Sequence, residues 1–493
     1  MITLISPYTD ITAYPVRILS GFLKSKGIKT RIIFTPNFEY YSFKLTPSPQ
    51  EIYSERMISQ LVELCSDSSL IGFSFFTRDF YNVVYLTERL KKSLENPIVW
   101  GGKHVSAKPE QAIQYADIIC IGEGEEALYE LAEKVENKDN YSGIKNLWTK
   151  CNGEIIKNPV RKLIENLDLI PLPDYSFEEH YVYNMRDDRI DPLTPETIGK
   201  YIPPESPTGM LSYGTLFSRG CPFNCTYCFS FKKMYTGQKY LRFRSIENLI
   251  HELELMKRKL AFIQMISLID DNIFTLDEDT IREFCKAYKE RIDLPLSFVG
   301  YPTDITAEKL SHLVDAGLIR THIGVQTGSA RTRRLYKRNI PNEAILNAAF
   351  ALNKFKDRIL PSYDVIIDNP YENDEDLVET IKLLIKIPKP RDFSIFSLTF
   401  FPGTELYNKA KLDSILSDND EPNEYNKSYN SFYYRKKKYL NFVLLLVRKG
   451  IPGFIINILI NKYVIFLLDR SIINNLLANI VSLMKSTRKT KKI

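Results

Sequence analysis

The sequence predicts an α/β protein made of two successive strand–helix modules and a helical tail, and three observations carry that prediction. Short apolar runs alternate with amphipathic stretches from the first residues to about Gly403, a rhythm that implies parallel strands joined by helices. The alternation breaks once, between Tyr141 and Pro207, where periodicity is lost and prolines punctuate the chain. Beyond about Leu412 the composition turns aromatic, apolar and basic. The expected divisions are therefore 1–140, a linker at 141–207, 208–410 and a tail at 411–493, since 493 residues are too many for one ordinary domain.

In the first module, strands are expected at Ile2–Ser6, Thr30–Phe34, Leu70–Phe76, Pro97–Trp100 and Ala116–Ile121. Helices fall between them, over Pro15–Lys26, Glu51–Cys65 and Tyr81–Leu94. This order gives a doubly wound parallel sheet, which binds ligands at the carboxyl ends of its strands. Three such ends carry small or polar residues: Ser74 to Thr77, Gly101-Gly102, and Gly122 to Gly124. Glycine there lets a ligand approach the backbone, although turn punctuation explains it equally well. In the linker, Leu169-Ile170-Pro171-Leu172-Pro173-Asp174 and Tyr201–Pro207 read as extended connectors.

The second module opens with Leu216-Phe217-Ser218-Arg219-Gly220-Cys221-Pro222-Phe223-Asn224-Cys225-Thr226-Tyr227-Cys228, a strand delivering three cysteines at Cys-x3-Cys-x2-Cys spacing. Three thiolates on one short loop suit iron–sulfur or zinc binding. Structural zinc wants four protein ligands, and no fourth Cys or His follows at short range, so a cluster with one open iron fits better. The remaining cysteines, Cys65, Cys120, Cys151 and Cys285, are scattered and read as small buried hydrophobes. An odd count of seven argues against a disulfide framework. Downstream strands are expected at Met265–Ile269, Leu294–Val299, Ile323–Gln326, Tyr363–Ile367 and Ser394–Phe400, with helices between, the first being Ile246–Lys259 capped by Ser245. With the cysteine strand these make six β/α units, whose functional residues should lie at strand carboxyl ends.

These motifs resemble the radical S-adenosylmethionine (SAM) family, and residues 1 to about 410 resemble its cobalamin-binding class: a Rossmann-like cobalamin domain ahead of a partial (β/α)6 barrel. The resemblance implies that Cys221, Cys225 and Cys228 hold a 4Fe-4S cluster whose open iron chelates SAM, with cleavage to a 5′-deoxyadenosyl radical. It places Tyr227 near the adenine, where simple packing is an equal reading. It brings Asp270-Asp271-Asn272 and Phe274, and Gly324-Val325-Gln326-Thr327-Gly328-Ser329, toward SAM, with Gln326 standing where the family has an acid. Asp368-Asn369-Pro370-Tyr371-Glu372 replaces the usual Gly-Leu-Pro-Gly-Glu, and Phe401-Pro402-Gly403-Thr404-Glu405-Leu406-Tyr407 matches the family's closing segment. Ser74, Gly101, Gly102, Gly122 and Gly124 would line the cobalamin tail. The Asp-x-His-x-x-Gly motif that ligates cobalt elsewhere is missing after the first strand, and His104 reads as a loop residue.

The implied activity is methylation of an unactivated carbon. Cyclisation or rearrangement stand as alternatives, as does methylthio transfer, though Cys65 and Cys120 do not supply a second cluster. A non-enzymatic iron–sulfur or corrinoid carrier is the reading outside enzymology. A small-molecule, even lipid-like, substrate and an electron donor such as flavodoxin or ferredoxin are expected. Met1 to Pro7 has no basic n-region or long apolar run, so a cytoplasmic protein is expected.

Net charge is +6, yet Phe432–Ile493 holds 13 Lys/Arg against Asp469 alone, so this stretch carries +12 and the rest −6. Its apolar runs, Phe442–Val447, Ile451–Ile460, Tyr463–Leu468 and Ile472–Met484, are each too short to span a bilayer. Amphipathic helices on the inner face of an anionic membrane and a helical cap or dimer surface are both open readings; nucleic-acid binding is not expected.

Overall fold

The computed structural model describes residues 1–7, 11–36, 48–202, 204–205, 207–425 and 439–477. The loop after the first strand and the last apolar run, from 478 on, thus lie outside the described residues.

The first sheet has nine strands: β1 (Ile2–Ser6), β2 (Thr30–Phe34), β3 (Leu70–Ser74), β4 (Ile98–Gly101), β5 (Ile118–Cys120), β6 (Leu147–Cys151), β7 (Glu154–Lys157), β8 (His180–Asn184) and β9 (Arg189–Pro192), in the order β7-β6-β5-β4-β3-β1-β2-β8-β9. Its centre, from β5 through β8, is parallel, and each flank ends in antiparallel strands. The central strands are β-branched and aromatic, and β1 and β2 are buried along their full length, as a sheet covered on both faces requires. Four of the nine strands come from 141–207, which the sequence presents as linker. These are short strands at the two flanks of the sheet, β7 and β9 its edges, with exposed positions on β6 and β7, so neither a sustained alternation nor an apolar run marks them.

The second sheet is six-stranded and wholly parallel: β10 (Ser212–Thr215), β13 (Met265–Leu268), β14 (Leu296–Gly300), β15 (Leu318–Gln326), β16 (Leu360–Ile367) and β17 (Asp392–Ser397). The first and last do not pair, so the barrel is open, a partial (β/α)6 arrangement. A two-stranded ribbon of β11 (Ser218–Arg219) and β12 (Arg242–Phe243) stands beside it. Helix starts follow the local chemistry: Ser245 accepts from the Asn248 N–H, Asp277 from Thr280 and Thr306 from Lys309.

Past β17 the chain runs back to the first module. Glu421 pairs with Lys108 at 3.3 Å and with Lys411 at 2.9 Å, and the Tyr425 ring lies against Phe80 and His104. The helix Tyr439–Arg448 then returns to the barrel. It packs against the Asp374–Leu384 helix, and its Asn441 donates to Asp368 at the end of β16.

Candidate functional site

The loop leaving β10 carries the three cysteines, and its entry is set by Asp270 at the end of β13. That carboxylate accepts from the Phe217 N–H at 2.9 Å and from both the N–H and the hydroxyl of Ser218. Burial pushes it up to about 6, against the pull of those three donors. Gly220 then turns the chain at φ +94°, where a Cβ would stand 2.4 Å from the Tyr240 carbonyl oxygen. Farther on, Thr226 donates from its N–H to Tyr336 O (3.1 Å) and from its hydroxyl to Leu335 O (2.8 Å), and Phe223 stacks on Tyr301 at 3.8 Å. The loop is thus tied to β13, to the end of β14 and to the segment after β15.

Cys221 and Cys225 are partly buried, Cys228 is exposed, and none is in a disulfide. Arg338 reaches into the loop, donating to Cys225 Sγ at 3.8 Å, to the Tyr227 hydroxyl at 3.5 Å and to the Gly324 carbonyl. Its guanidinium lies 4.2 Å over the Tyr301 ring. Tyr227 is half-buried, edge-on to Tyr336 at 4.8 Å. Three free thiols on one stretch, with a fixed cation beside one of them, are the donor chemistry an iron–sulfur cluster requires. The sulfurs are not drawn to one point: among the described residues no three His, Cys, Asp or Glu side chains stand close enough to share an ion. The donors fit such a cluster.

Around it, β15 and β16 each end in a left-handed residue that is not glycine, Gln326 at φ +65° and Asp368 at φ +59°. Each such residue costs about 1–2 kcal/mol, strain that collects at functional strand ends. Asp368 is held there by Ser397, whose hydroxyl donates at 2.7 Å, and by the Asn441 amide at 2.8 Å. The Gln326 amide and the Arg338 guanidinium occupy the space a Gly324 side chain would fill. Ser329 is fully buried; it caps the Ala330–Leu335 helix and donates to Asp376, so its hydroxyl is engaged within the fold.

Glu372, after β16, accepts from the Thr327 hydroxyl at 3.3 Å, and burial pushes it up to about 7. Its folded value lies above the ordinary 4.5, so the stability it contributes is fully present below about pH 4.5 and is lost as pH rises through 7. Glu372→Gln should erase that stretch of pH dependence and unfold at higher denaturant than the parent at pH 8, with little difference at pH 5. Parallel slopes from pH 5 to 8 in urea titrations of the two proteins would refute this.

The first module presents its strand ends to this loop. Ser74 lies in register with Gly101, and no atom comes closer than 3.9 Å to a Cβ placed on Gly101. Gly102 (φ +103°) is filled by the Phe75 backbone, and Gly122 by the Tyr235 hydroxyl, which accepts from the Glu123 N–H at 3.0 Å. Gly124 sits against Cys120. His104 is fully buried among Phe75, Phe80 and Tyr425, and burial pushes it down to about 3, so it is a neutral core residue. Two acids hold the modules together. Arg219 pairs with Glu125 at 2.6 Å and Glu123 at 3.4 Å, and Arg242 pairs with Glu123. Glu123, Glu125 and Arg338 carry no spacing signal that marks them in the sequence, because their partners lie about a hundred residues away.

Two family models match the chain. The radical SAM superfamily matches residues 215–384 and the B12 binding domain residues 2–132. The chain is a radical SAM enzyme with a B12-binding domain. Its cofactors are accordingly a 4Fe-4S cluster, SAM and cobalamin. An uncharacterized methyltransferase of Pyrococcus horikoshii is 28% identical over 356 residues, covering 71% of each chain. Bacteriochlorophyllide d C-8(2)-methyltransferase of Chlorobaculum tepidum is 22% identical over 72% of this chain and 71% of its own. The radical SAM methyltransferase TsrM of Kitasatospora setae, solved with tryptophan and a SAM analogue, shares the fold of this radical SAM enzyme. Its TM-score is 0.63 at 16% identity, over 84% of this chain and 76% of that one.

Proposed function

We propose that this radical SAM enzyme methylates an unactivated carbon of a small-molecule substrate, taking electrons from a donor of the flavodoxin or ferredoxin kind. The observation that carries the reading is the placement of the cysteine loop against the strand ends of the B12-binding module, locked by Arg219 and Glu125. When bound, the cluster, SAM and cobalamin supply a hydrogen-abstracting carbon radical and a transferable methyl group. The chain's own part is positional. Cys221, Cys225 and Cys228 offer the thiolates, Arg338 keeps a positive charge beside Cys225, and Asp270 fixes the loop entry. Gln326 presents an amide at the rim, suited to hydroxyl or carboxylate groups of SAM. Ser74 and Gly101, in register at the ends of β3 and β4, would line the cleft for the corrinoid. A cytoplasmic enzyme resting on the inner face of a membrane, with a lipid-like substrate, belongs to the same proposal.

The test is anaerobic reconstitution with iron, sulfide and hydroxocobalamin, then SAM and reductant, with products read by mass spectrometry. 5′-Deoxyadenosine together with S-adenosylhomocysteine is expected, and both should vanish in Cys225→Ala. 5′-Deoxyadenosine without S-adenosylhomocysteine, from cobalamin-loaded enzyme turning over its substrate, would favour cyclisation or rearrangement instead.

A further inference from the structure

The helices Gly453–Leu459 and Lys462–Leu468, with the helical backbone that follows over 471–477, are anchored on one side and bare on the other. Ile456, Ile460 and Ile465 are buried in the main apolar cluster. The opposite face exposes Phe454 (68%), Ile458 (62%), Tyr463 (67%), Phe466 (69%), Leu467 (62%) and Ile472 (82%). An apolar patch of this extent marks an interaction surface.

We propose that this face docks on an anionic lipid bilayer. The inference rests on the membrane placement given above and names the surface responsible. Charge selects the occupant. From Arg448 to Leu477 the charged residues are Arg448, Lys449, Lys462 and Arg470, all exposed, and one acid, Asp469. Asp469 is turned inward, accepting from the Tyr439 N–H at 3.2 Å and the Asn474 amide at 2.6 Å. Two of the cations flank the exposed aromatics: Lys462 lies 5.0 Å from the Tyr463 ring and Arg470 4.9 Å from that of Phe466. Apolar and aromatic side chains ringed by cations match a headgroup layer of negative charge, whereas a second copy would set like charges against each other. Helices of seven residues are about 10 Å long, too short to cross, so they lie in the interface. No helix among the described residues is long and apolar enough to span a membrane.

Flotation of the full chain tests this, using vesicles of phosphatidylcholine alone and of equal parts phosphatidylcholine and phosphatidylglycerol. Binding about tenfold stronger to the anionic vesicles, and weakened by salt, is expected. Phe454→Ser with Phe466→Ser should abolish it, and Lys462→Glu with Arg470→Glu should weaken it about tenfold. All four side chains are exposed, so thermal midpoints should hold and report folding. Equal binding to both vesicles, no flotation, or flotation untouched by the Phe pair would overturn the proposal. So would a dimer in sedimentation that the same pair dissociates. No cofactor is needed, so this result and the outcome of the methylation assay are independent.

Discussion

Arg219→Ala is expected to destabilise the enzyme by about 3–5 kcal/mol, because it strands the buried Glu125 carboxylate without its cation. Burial alone would push Glu125 up, and Arg219 beside it holds the carboxyl below its usual range. Without that cation Glu125 must either protonate or draw in water, and Glu123 keeps only Arg242. The double replacement Arg219→Gln with Glu125→Gln should recover much of the loss, since two neutral amides can still bond each other. Urea unfolding of the three proteins measures this. If Arg219→Ala moved the midpoint no more than a surface substitution does, the pair would not be what joins the modules. The same variant should also expose the seam between them to protease before either module is cut internally.

The second large effect is expected at Asp270. Asp270→Ala leaves the Phe217 and Ser218 N–H groups buried without an acceptor, each costing about 1–3 kcal/mol. It also frees the backbone three residues ahead of Cys221. Iron and sulfide bound per chain after anaerobic reconstitution should fall several-fold, and 5′-deoxyadenosine formation with it. Asp270→Asn should lie between, because one oxygen still accepts while the new NH2 faces donors. Full iron loading of the alanine variant would remove Asp270 from the list of residues that position the loop.

What could be read in advance follows the range of the interactions. The strands at Ile2–Ser6 and Thr30–Phe34 are legible because apolar β-branched runs bounded by turn residues identify buried parallel strands. The three cysteines are legible because their chemistry sits within eight residues. Glu154–Lys157 is not: an exposed edge strand has no apolar face to announce it. The Gly122-Glu123-Gly124-Glu125 segment draws attention for its glycines, yet its acids bind Arg219 and Arg242, pairings that only the folded chain brings together. Arg338 is one of several arginines in its neighbourhood, and only the fold turns it toward Cys225. Asp368 stands where the family has a glycine, and the reason an aspartate is tolerated, its bond from Asn441, comes from the far tail.

That tail contact has a consequence for how the chain is made. The helix that supplies Asn441 begins at Tyr439, while the last strand of the barrel ends at Ser397. At roughly 5–20 residues per second, a ribosome delivers the start of that helix about two to eight seconds after the strand. During that interval Asp368 lacks one of the two donors that hold its strained backbone. A polypeptide ended anywhere between residues 398 and 438 would be arrested in that state. The barrel is finished only by residues that, on the printed sequence, look like an appendage to it.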